Sequence, residues 1–283
     1  MFDLKDVEAP DPLIEALSAS SQLFFTTHGG KKMAWRRWGQ GNVIVMLHGA
    51  TGSWRHWVRN IAHFAGDHTV LVPDLPGFGL SDIPGPSDTI SDIAEAVIAG
   101  LDQILGPRDC YHLAAFSFGG SIASALIAAR PGRQLSLALV STASIGPRIG
   151  PAFVSVRDKS GAALVSAHHE NLALGMFGDP LKIDLLALRV QVKNTAESRL
   201  DARRRAPAPL LTETLTEFQA PAKAFWGARD VFLFPGFLQD RQALLRAVKP
   251  DMECVVLDKA GHWLMFEASA AFNAQLHALI AKA

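Results

Sequence analysis

The chain alternates short, almost wholly apolar runs with stretches of helical spacing, and this alternation limits its fold more than any other feature. NVIVML (42–47), HTVLV (68–72), CYHLAAF (110–116), LSLALV (135–140), AKAFW (222–226) and MECVVL (252–257) are the apolar runs. Between and after them SWRHWVRNIAHFAG (53–66), SDIAEAVIAGLDQIL (91–105), SIASALIAAR (121–130), FLQDRQALLRAV (237–248) and SAAFNAQLHALIAKA (269–283) carry apolar residues at helical intervals. A strand apolar along its whole length must be covered on both faces, which predicts a mostly parallel sheet with helices on both faces. Ser53 and Ser91 are placed to cap the first two helices. QLFFTT and KMAWRRWG flank His28-Gly29-Gly30 and predict an N-terminal hairpin.

The alternation is interrupted between about residues 146 and 212. This stretch starts at Gly146-Pro147, ends near Arg205-Ala206-Pro207-Ala208-Pro209, and holds two helical patterns broken at Gly178-Asp179-Pro180, with no strand-like run. It predicts a helical cap (146–212) inserted into a core formed by 1–145 and 213–283, placed where caps commonly cover a site at strand ends.

Sites in open parallel sheets form at the carboxyl ends of strands. The predicted strand ends are followed by His48-Gly49-Ala50, by Asp74 and PGFG, by Ser117, by Thr142-Ala143-Ser144, by Arg229-Asp230 and by His262. A hydroxyl, a carboxylate and an imidazole thus arrive in the order Ser117, Asp230, His262. Ser117 in isolation also suits a helix N-cap, Asp230 a solvated loop acid, and His262 a cap for the last helix. Asp258 lies only four residues before His262, still within the strand pattern, and Asp74 and Asp82 flank PGFG and are read as setting that loop. The glycines of HGATGS lack the Lys and spacing of a phosphate loop.

This order resembles the α/β-hydrolase family from about residue 22 to the end. Ala115-Phe116-Ser117-Phe118-Gly119 is similar to the family's nucleophile elbow, with Ala in place of the usual first Gly. A turn this tight strains the central residue and demands small residues two before and two after it, which Ala115 and Gly119 are. The resemblance implies a serine hydrolase in which Ser117 is the nucleophile, His262 the base and Asp230 its orienter. It also implies an oxyanion site from the N–H groups of Phe118 and Ala50, a structural His48, and no cofactor or metal. Ser at the elbow argues against the branches that attack with a carboxylate.

GHWLMFE is further similar to the end of the meta-cleavage-product hydrolases, which break a carbon–carbon bond beside a ketone. In that resemblance Trp263 follows the base and Arg189, in IDLLALRVQVKN, takes a substrate carboxylate; ordinary packing and a solvated helix Arg are the alternatives. Those enzymes have Asn where this chain has Phe116, and a loop richer in Gly and Pro than HGATGS. Phe116 and Phe118 beside the hydroxyl, under an apolar cap, point to an apolar acyl group, although the cap's own core must use most of its apolar residues. The first reading is therefore a hydrolase of small, largely apolar carboxylic esters. The second is a carbon–carbon hydrolase of diketo acids, and the third, of another class, is a ligand receptor on the same scaffold.

Composition narrows the partners. With 27 basic and 27 acidic residues and a formal charge of zero, nothing draws the chain to nucleic acid or anionic lipid, and Arg203-Arg204-Arg205 is the only basic run. Cys110 and Cys254 lie far apart with no metal-ligand spacing, so neither a disulfide framework nor a zinc site is expected. The acidic, proline-containing start does not resemble a signal peptide, and no apolar run approaches the ~20 residues of a membrane span. The expectation is a cytoplasmic protein with a small-molecule substrate, compatible with a homodimer.

Overall fold

A computed structural model describes residues 2–142, 145, 150–201, 210–232 and 237–283. Among the described residues eight strands form one sheet: β1 (Gln22–His28), β2 (Lys31–Trp38), β3 (Val43–Leu47), β4 (Thr69–Pro73), β5 (Tyr111–Phe116), β6 (Gln134–Val140), β7 (Ala222–Gly227) and β8 (Glu253–Leu257). Their spatial order is β1-β2-β4-β3-β5-β6-β7-β8. The hairpin β1–β2 is antiparallel and β2 runs antiparallel to β4, while β4, β3, β5, β6, β7 and β8 are mutually parallel. β3 and β5 are therefore neighbours from which the chain departs in opposite directions, and a crevice opens at their carboxyl ends. Leu47 pairs with Ala115 across that boundary, so the loop after β3 lies beside Ser117.

Alternate residues of the strands go to alternate faces. Val45, Leu47, Leu113, Ala115, Leu137, Leu139 and Trp226 pack with helices Ile90–Ile104 and Phe118–Ala129. Ile44, Met46, Ala114, Phe116, Ala138, Val140 and Phe225 face Phe64, Trp263, Phe266, Phe272 and Leu276. Each Val, Leu, Ile, Met or Phe side chain among them contributes about 1.5–3 kcal/mol when fully buried, which is why neither face tolerates the polar alternation of a half-exposed sheet.

Two local expectations are corrected. The helix expected to open at Ser91 begins at Ile90, capped by Thr89, whose Oγ1 accepts the Asp92 N–H at 3.2 Å while Asp92 Oδ2 accepts the Thr89 N–H at 2.7 Å. This reciprocal pair satisfies two otherwise orphaned donors and moves the start forward. SWRHWVRNIAHFAG is a 3-10 turn, Trp54–Trp57, followed by the single helical turn Ile61–Phe64. Tertiary partners claim both parts: Asp74 Oδ1 accepts the Trp54 N–H at 3.0 Å, and Asn60 Nδ2 donates to Met265 O at 3.0 Å and Asn273 Oδ1 at 2.7 Å. Ser53 does accept the Arg55 N–H, as a cap of that turn. Ahead of the hairpin, where no element was expected, the chain forms two helices, Leu4–Glu8 and Pro12–Ser20, capped by Asp3 and Asp11.

The insertion contains helices Gly161–Gly175 and Leu185–Ala196, joined through a 3-10 turn at Pro180–Lys182. They pack on each other and on Leu4–Glu8. Ser53 Oγ donates to Asn194 Oδ1 at 2.6 Å, Arg55 pairs with Glu197, and Arg59 pairs with Asp184. Arg199 donates from its backbone to Gly77 O and from Nη2 to Gly79 O, and the Trp263 N–H reaches Met176 O. These partners follow β3, β4 and β8, so the insertion lies at the carboxyl ends of the strands. The expected boundary residues Gly146-Pro147 and Arg205 to Pro209, with the basic run from Arg203, lie outside the described residues. No helix among the described residues is long and apolar enough to cross a membrane.

Candidate active site

β5 ends at Phe116, and Ser117 turns the chain into helix Phe118–Ala129 with φ 50° and ψ −110°. A non-glycine residue there carries about 1–3 kcal/mol of strain. Hydrogen bonds on both sides hold it: the Ser117 N–H donates to Val140 O at 2.9 Å, and the Gly120 N–H to Ser117 O at 3.0 Å. The requirement for small neighbours is met physically. A Cβ on Gly119 would lie 2.8 Å from Leu47 O and 2.9 Å from His48 O, atoms of the adjoining strand and loop that cannot swing aside.

The structure brings Ser117, His262 and Asp230 together. Ser117 Oγ is 2.9 Å from His262 Nε2, and His262 Nδ1 is 2.8 Å from Asp230 Oδ2. Because a carboxylate only accepts, Nδ1 carries a proton, and in the neutral imidazole the lone pair then lies on Nε2, toward the hydroxyl. All three are nearly closed off, at 4%, 3% and 3% exposure. Burial pushes the Asp230 carboxyl up, but the charge and hydrogen bond of His262, with the Phe232 N–H at 3.0 Å, outweigh it and leave the group below the usual carboxylate range. Asp230 is thus an anion held beside an imidazole. Asp258, the other acid near His262 in sequence, is exposed. At the end of β6, Thr142 is buried, while Ala143 and Ser144 lie outside the described residues.

The loop after β3 lies over the elbow. An ideal Cβ on Gly49 would be 3.2 Å from Ser117 Cβ and 2.9 Å from the Phe116 ring, so only glycine allows the loop this close. Among the described residues neither the Ala50 N–H nor the Phe118 N–H has a protein acceptor. His48 donates from Nδ1 to Gly49 O at 2.7 Å and accepts the Leu75 N–H at Nε2, 2.9 Å, a neutral structural imidazole. Asp74 accepts the N–H groups of Trp54 and Leu80, which sets the PGFG loop as expected. The Asp82 carboxylate accepts the Lys32 N–H.

The three expected substrate contacts fall differently. The Phe116 ring lies 5.1 Å from His262, under Gly49, and is buried. Trp263 is also buried. It stacks on Phe266 at 4.1 Å and donates Nε1–H to His56 O at 3.0 Å, so packing accounts for it. Arg189 is not brought to Ser117: its Nε donates to Asp6 O and its Nη1 to Asp11 Oδ2, both at 2.9 Å. The reason is the N-terminal segment, whose Asp6 carbonyl and Asp11 carboxylate take up the guanidinium. Two residues beside the triad were missed. Phe232 places its ring 4.6 Å from His262, and its only sequence signal was its position two after the acid. His56, whose ring is 5.3 Å from Trp263 and 5.4 Å from Phe116, lies far from the final strand in sequence and gave no signal of its own.

Known proteins agree with this architecture. The chain is 26% identical over 268 residues to the dihydrolipoyllysine-residue acetyltransferase component of the acetoin cleaving system of Pseudomonas putida, covering 90% of this chain and 68% of that one. It is 28% identical over 289 residues to the 2-hydroxy-6-oxononadienedioate/2-hydroxy-6-oxononatrienedioate hydrolase of Burkholderia vietnamiensis, covering 93% and 96%. The solved structure of the carboxylesterase CesB from Bacillus subtilis superposes with a TM-score of 0.77 at 18% identity, over 95% of each chain, a likeness of fold. A profile of the alpha/beta hydrolase family matches residues 44–275. That span runs from β3 into the last helix and includes every strand end carrying Ser117, Asp230 and His262, so the chain belongs to the alpha/beta hydrolase family.

Proposed function

We propose that the protein hydrolyses small, largely apolar carboxylic esters through a Ser117-His262-Asp230 triad. The observation that carries this is the buried hydrogen-bond chain from Ser117 Oγ through His262 to Asp230, at 2.9 and 2.8 Å. His262 Nε2 takes the Ser117 proton as Oγ bonds the ester carbonyl carbon. The oxyanion is received by the Ala50 and Phe118 N–H groups, each donor of this kind being worth about 3–4 kcal/mol in the transition state. The tetrahedral species collapses as His262 returns the proton to the leaving alkoxide. Water, deprotonated by His262, then attacks the acyl carbon and releases the acid and Ser117. Asp230 holds Nδ1–H and stabilises the imidazolium formed in each half-reaction. The chemistry needs no cofactor. The insertion at the strand ends acts as the cap that excludes water, and Phe232 with Phe116 gives the base an apolar surround.

The experiment is turnover of p-nitrophenyl butyrate by the wild type and Ser117→Ala. The variant should lose on the order of 10⁶ in kcat and melt within a few degrees of wild type. A variant retaining a tenth of the activity would exclude Ser117 as nucleophile.

The relatives named as carbon–carbon hydrolases support a second reading, with the same triad acting on a diketo acid. Arg189 is the substrate anchor that reading called for, and Asp11 and Asp6 already hold it. The ester reading is preferred on that ground, and activity on a vinylogous diketo acid above that on neutral esters would reverse the order.

A further inference from the structure

The loop that must present the Ala50 N–H contains glycines at 49 and 52, and a Gly-rich loop rotates its peptides at little cost. A flipped Gly49–Ala50 peptide would turn a carbonyl, not a donor, toward a developing anion. The structure holds Gly49 through both peptides that flank it: its carbonyl, in the Gly49–Ala50 peptide, and its N–H, in the His48–Gly49 peptide. His48 Nδ1 donates to Gly49 O at 2.7 Å, and the Gly49 N–H donates to His56 Nδ1 at 3.3 Å. The bond is trans, so with its carbonyl held toward His48 the Ala50 N–H points the opposite way.

We propose that His56 is a positioning residue of the oxyanion site: a neutral imidazole that, opposite His48, clamps Gly49 so that the Ala50 N–H stays turned toward Ser117. The proposal rests on the ester-hydrolase reading for its catalytic meaning, and on geometry alone for the clamp. His56 must accept at Nδ1, so its proton is on Nε2, the reverse of His48, whose proton is on Nδ1. The site is built for this tautomer. Burial, and then the neighbours His48 and His262, hold His56 well below the ordinary imidazole range, so it does not gain the second proton that would turn its acceptor into a donor facing the Gly49 N–H. The ring cannot move away. It is edge-on to His48, Phe116 and Trp263, its own carbonyl receives Trp263 Nε1–H at 3.0 Å, and its Cε1 and Nδ1 would lie 2.3 and 2.4 Å from a Cβ on Gly52. Gly52 is therefore the residue that leaves room for the imidazole. Trp263 adjoins His262, so the same ring ties the oxyanion loop to the loop carrying the base.

The test compares His56→Leu, which removes the acceptor, with His56→Asn, whose Oδ1 stands where Nδ1 stood. kcat and KM for p-nitrophenyl butyrate, inhibition by n-butylboronic acid (a tetrahedral mimic) and thermal melting are measured for each. His56→Leu should lose about 10²-fold in kcat, the scale of a misplaced oxyanion donor, with KM within about threefold, and should bind the boronic acid correspondingly less well. His56→Asn should recover at least a tenth of wild-type kcat. Long-range ¹H–¹⁵N imidazole spectra of the wild type should show His56 protonated at Nε2 and His48 at Nδ1. A His56→Leu enzyme with kcat within threefold of wild type overturns the proposal, as does equal loss in the Asn and Leu variants or an Nδ1-protonated His56. If His56→Leu does not fold, the Asn variant and the spectra decide. If wild type neither turns over esters nor is labelled at Ser117 by a fluorophosphonate, the ester reading fails, while the spectra still decide the clamp.

Discussion

Asp230 shows how one residue's surroundings set its chemistry. It is buried, which alone would favour the neutral acid, yet His262 and the Phe232 N–H keep it an anion. Asn at this position would keep the size and lose the charge, and its amide could hold the imidazole in the wrong tautomer. Asp230→Asn should therefore lower kcat for p-nitrophenyl butyrate by about 10⁴. Asp258→Asn, a change at an exposed site, should leave kcat within twofold. The opposite ranking of the two variants would mean that the wrong carboxylate had been chosen. That Ser117 and His262 would meet was legible because both follow apolar runs that end at the same edge of the sheet. His56 and Phe232 were not, because a His and a Phe inside or beside an expected element look the same whether they pack or position.

Among the elements, Glu267 couples three segments. Its Oε2 accepts the N–H of Gly178 at 2.9 Å and of Gly261 at 2.7 Å, and its Oε1 accepts the Asp179 N–H at 2.9 Å. One carboxylate thus joins helix Leu264–Glu267, the turn of the insertion and the loop just before His262. Gln would replace one acceptor oxygen by a donor facing an N–H. Glu267→Gln should destabilise by about 1–3 kcal/mol, seen as a Tm lower by several degrees, and should reduce kcat because Gly261 precedes His262, the proposed base. An unchanged melt with unchanged kcat would show that the insertion is held without this tie. The strands and the longer helices could be read from the sequence because apolar runs and 3.6-residue spacing are local signals. The 3-10 turn at Trp54–Trp57 and the turn at Ile61–Phe64 could not, since Asp74 holds the first and Met265 and Asn273 hold the second from distant positions.

The whole molecule carries several imidazoles in their neutral form. Burial lowers His48 to about 4, against a partly compensating bond to Gly49 O, and burial followed by His68 lowers His112 to about 4. His56 is also well below its ordinary value. In the unfolded chain each would titrate near 6.5. Between these values the unfolded state binds protons that the folded state refuses, so stability is fully present above pH ~6.5 and falls as pH drops toward 4. His48 alone accounts for a loss on the order of 3 kcal/mol across that window. The depressed Asp230 adds a loss only at lower pH, below its ordinary carboxylate value. Tm measured from pH 7.5 to 4.5 should fall progressively, most steeply below pH 6, and a flat profile would contradict the neutral, buried assignment of His48 and His56.

The sequence by itself determined the mostly parallel sheet, the helical stretch between β6 and β7 and the three strand ends that bear Ser117, Asp230 and His262. Each depends on residues close together in the chain: continuous apolar runs that must be covered twice, small residues around a strained serine, polar groups just past a strand. Only the tertiary structure decided the rest. It spends Arg189 on Asp11 and Asp6 O, leaves Asp258 in solvent, and sets His56 against Gly49 and Trp263. A charged or polar side chain takes the partner that burial brings within hydrogen-bond reach, and that partner can lie nearly two hundred residues away, where no local pattern records it.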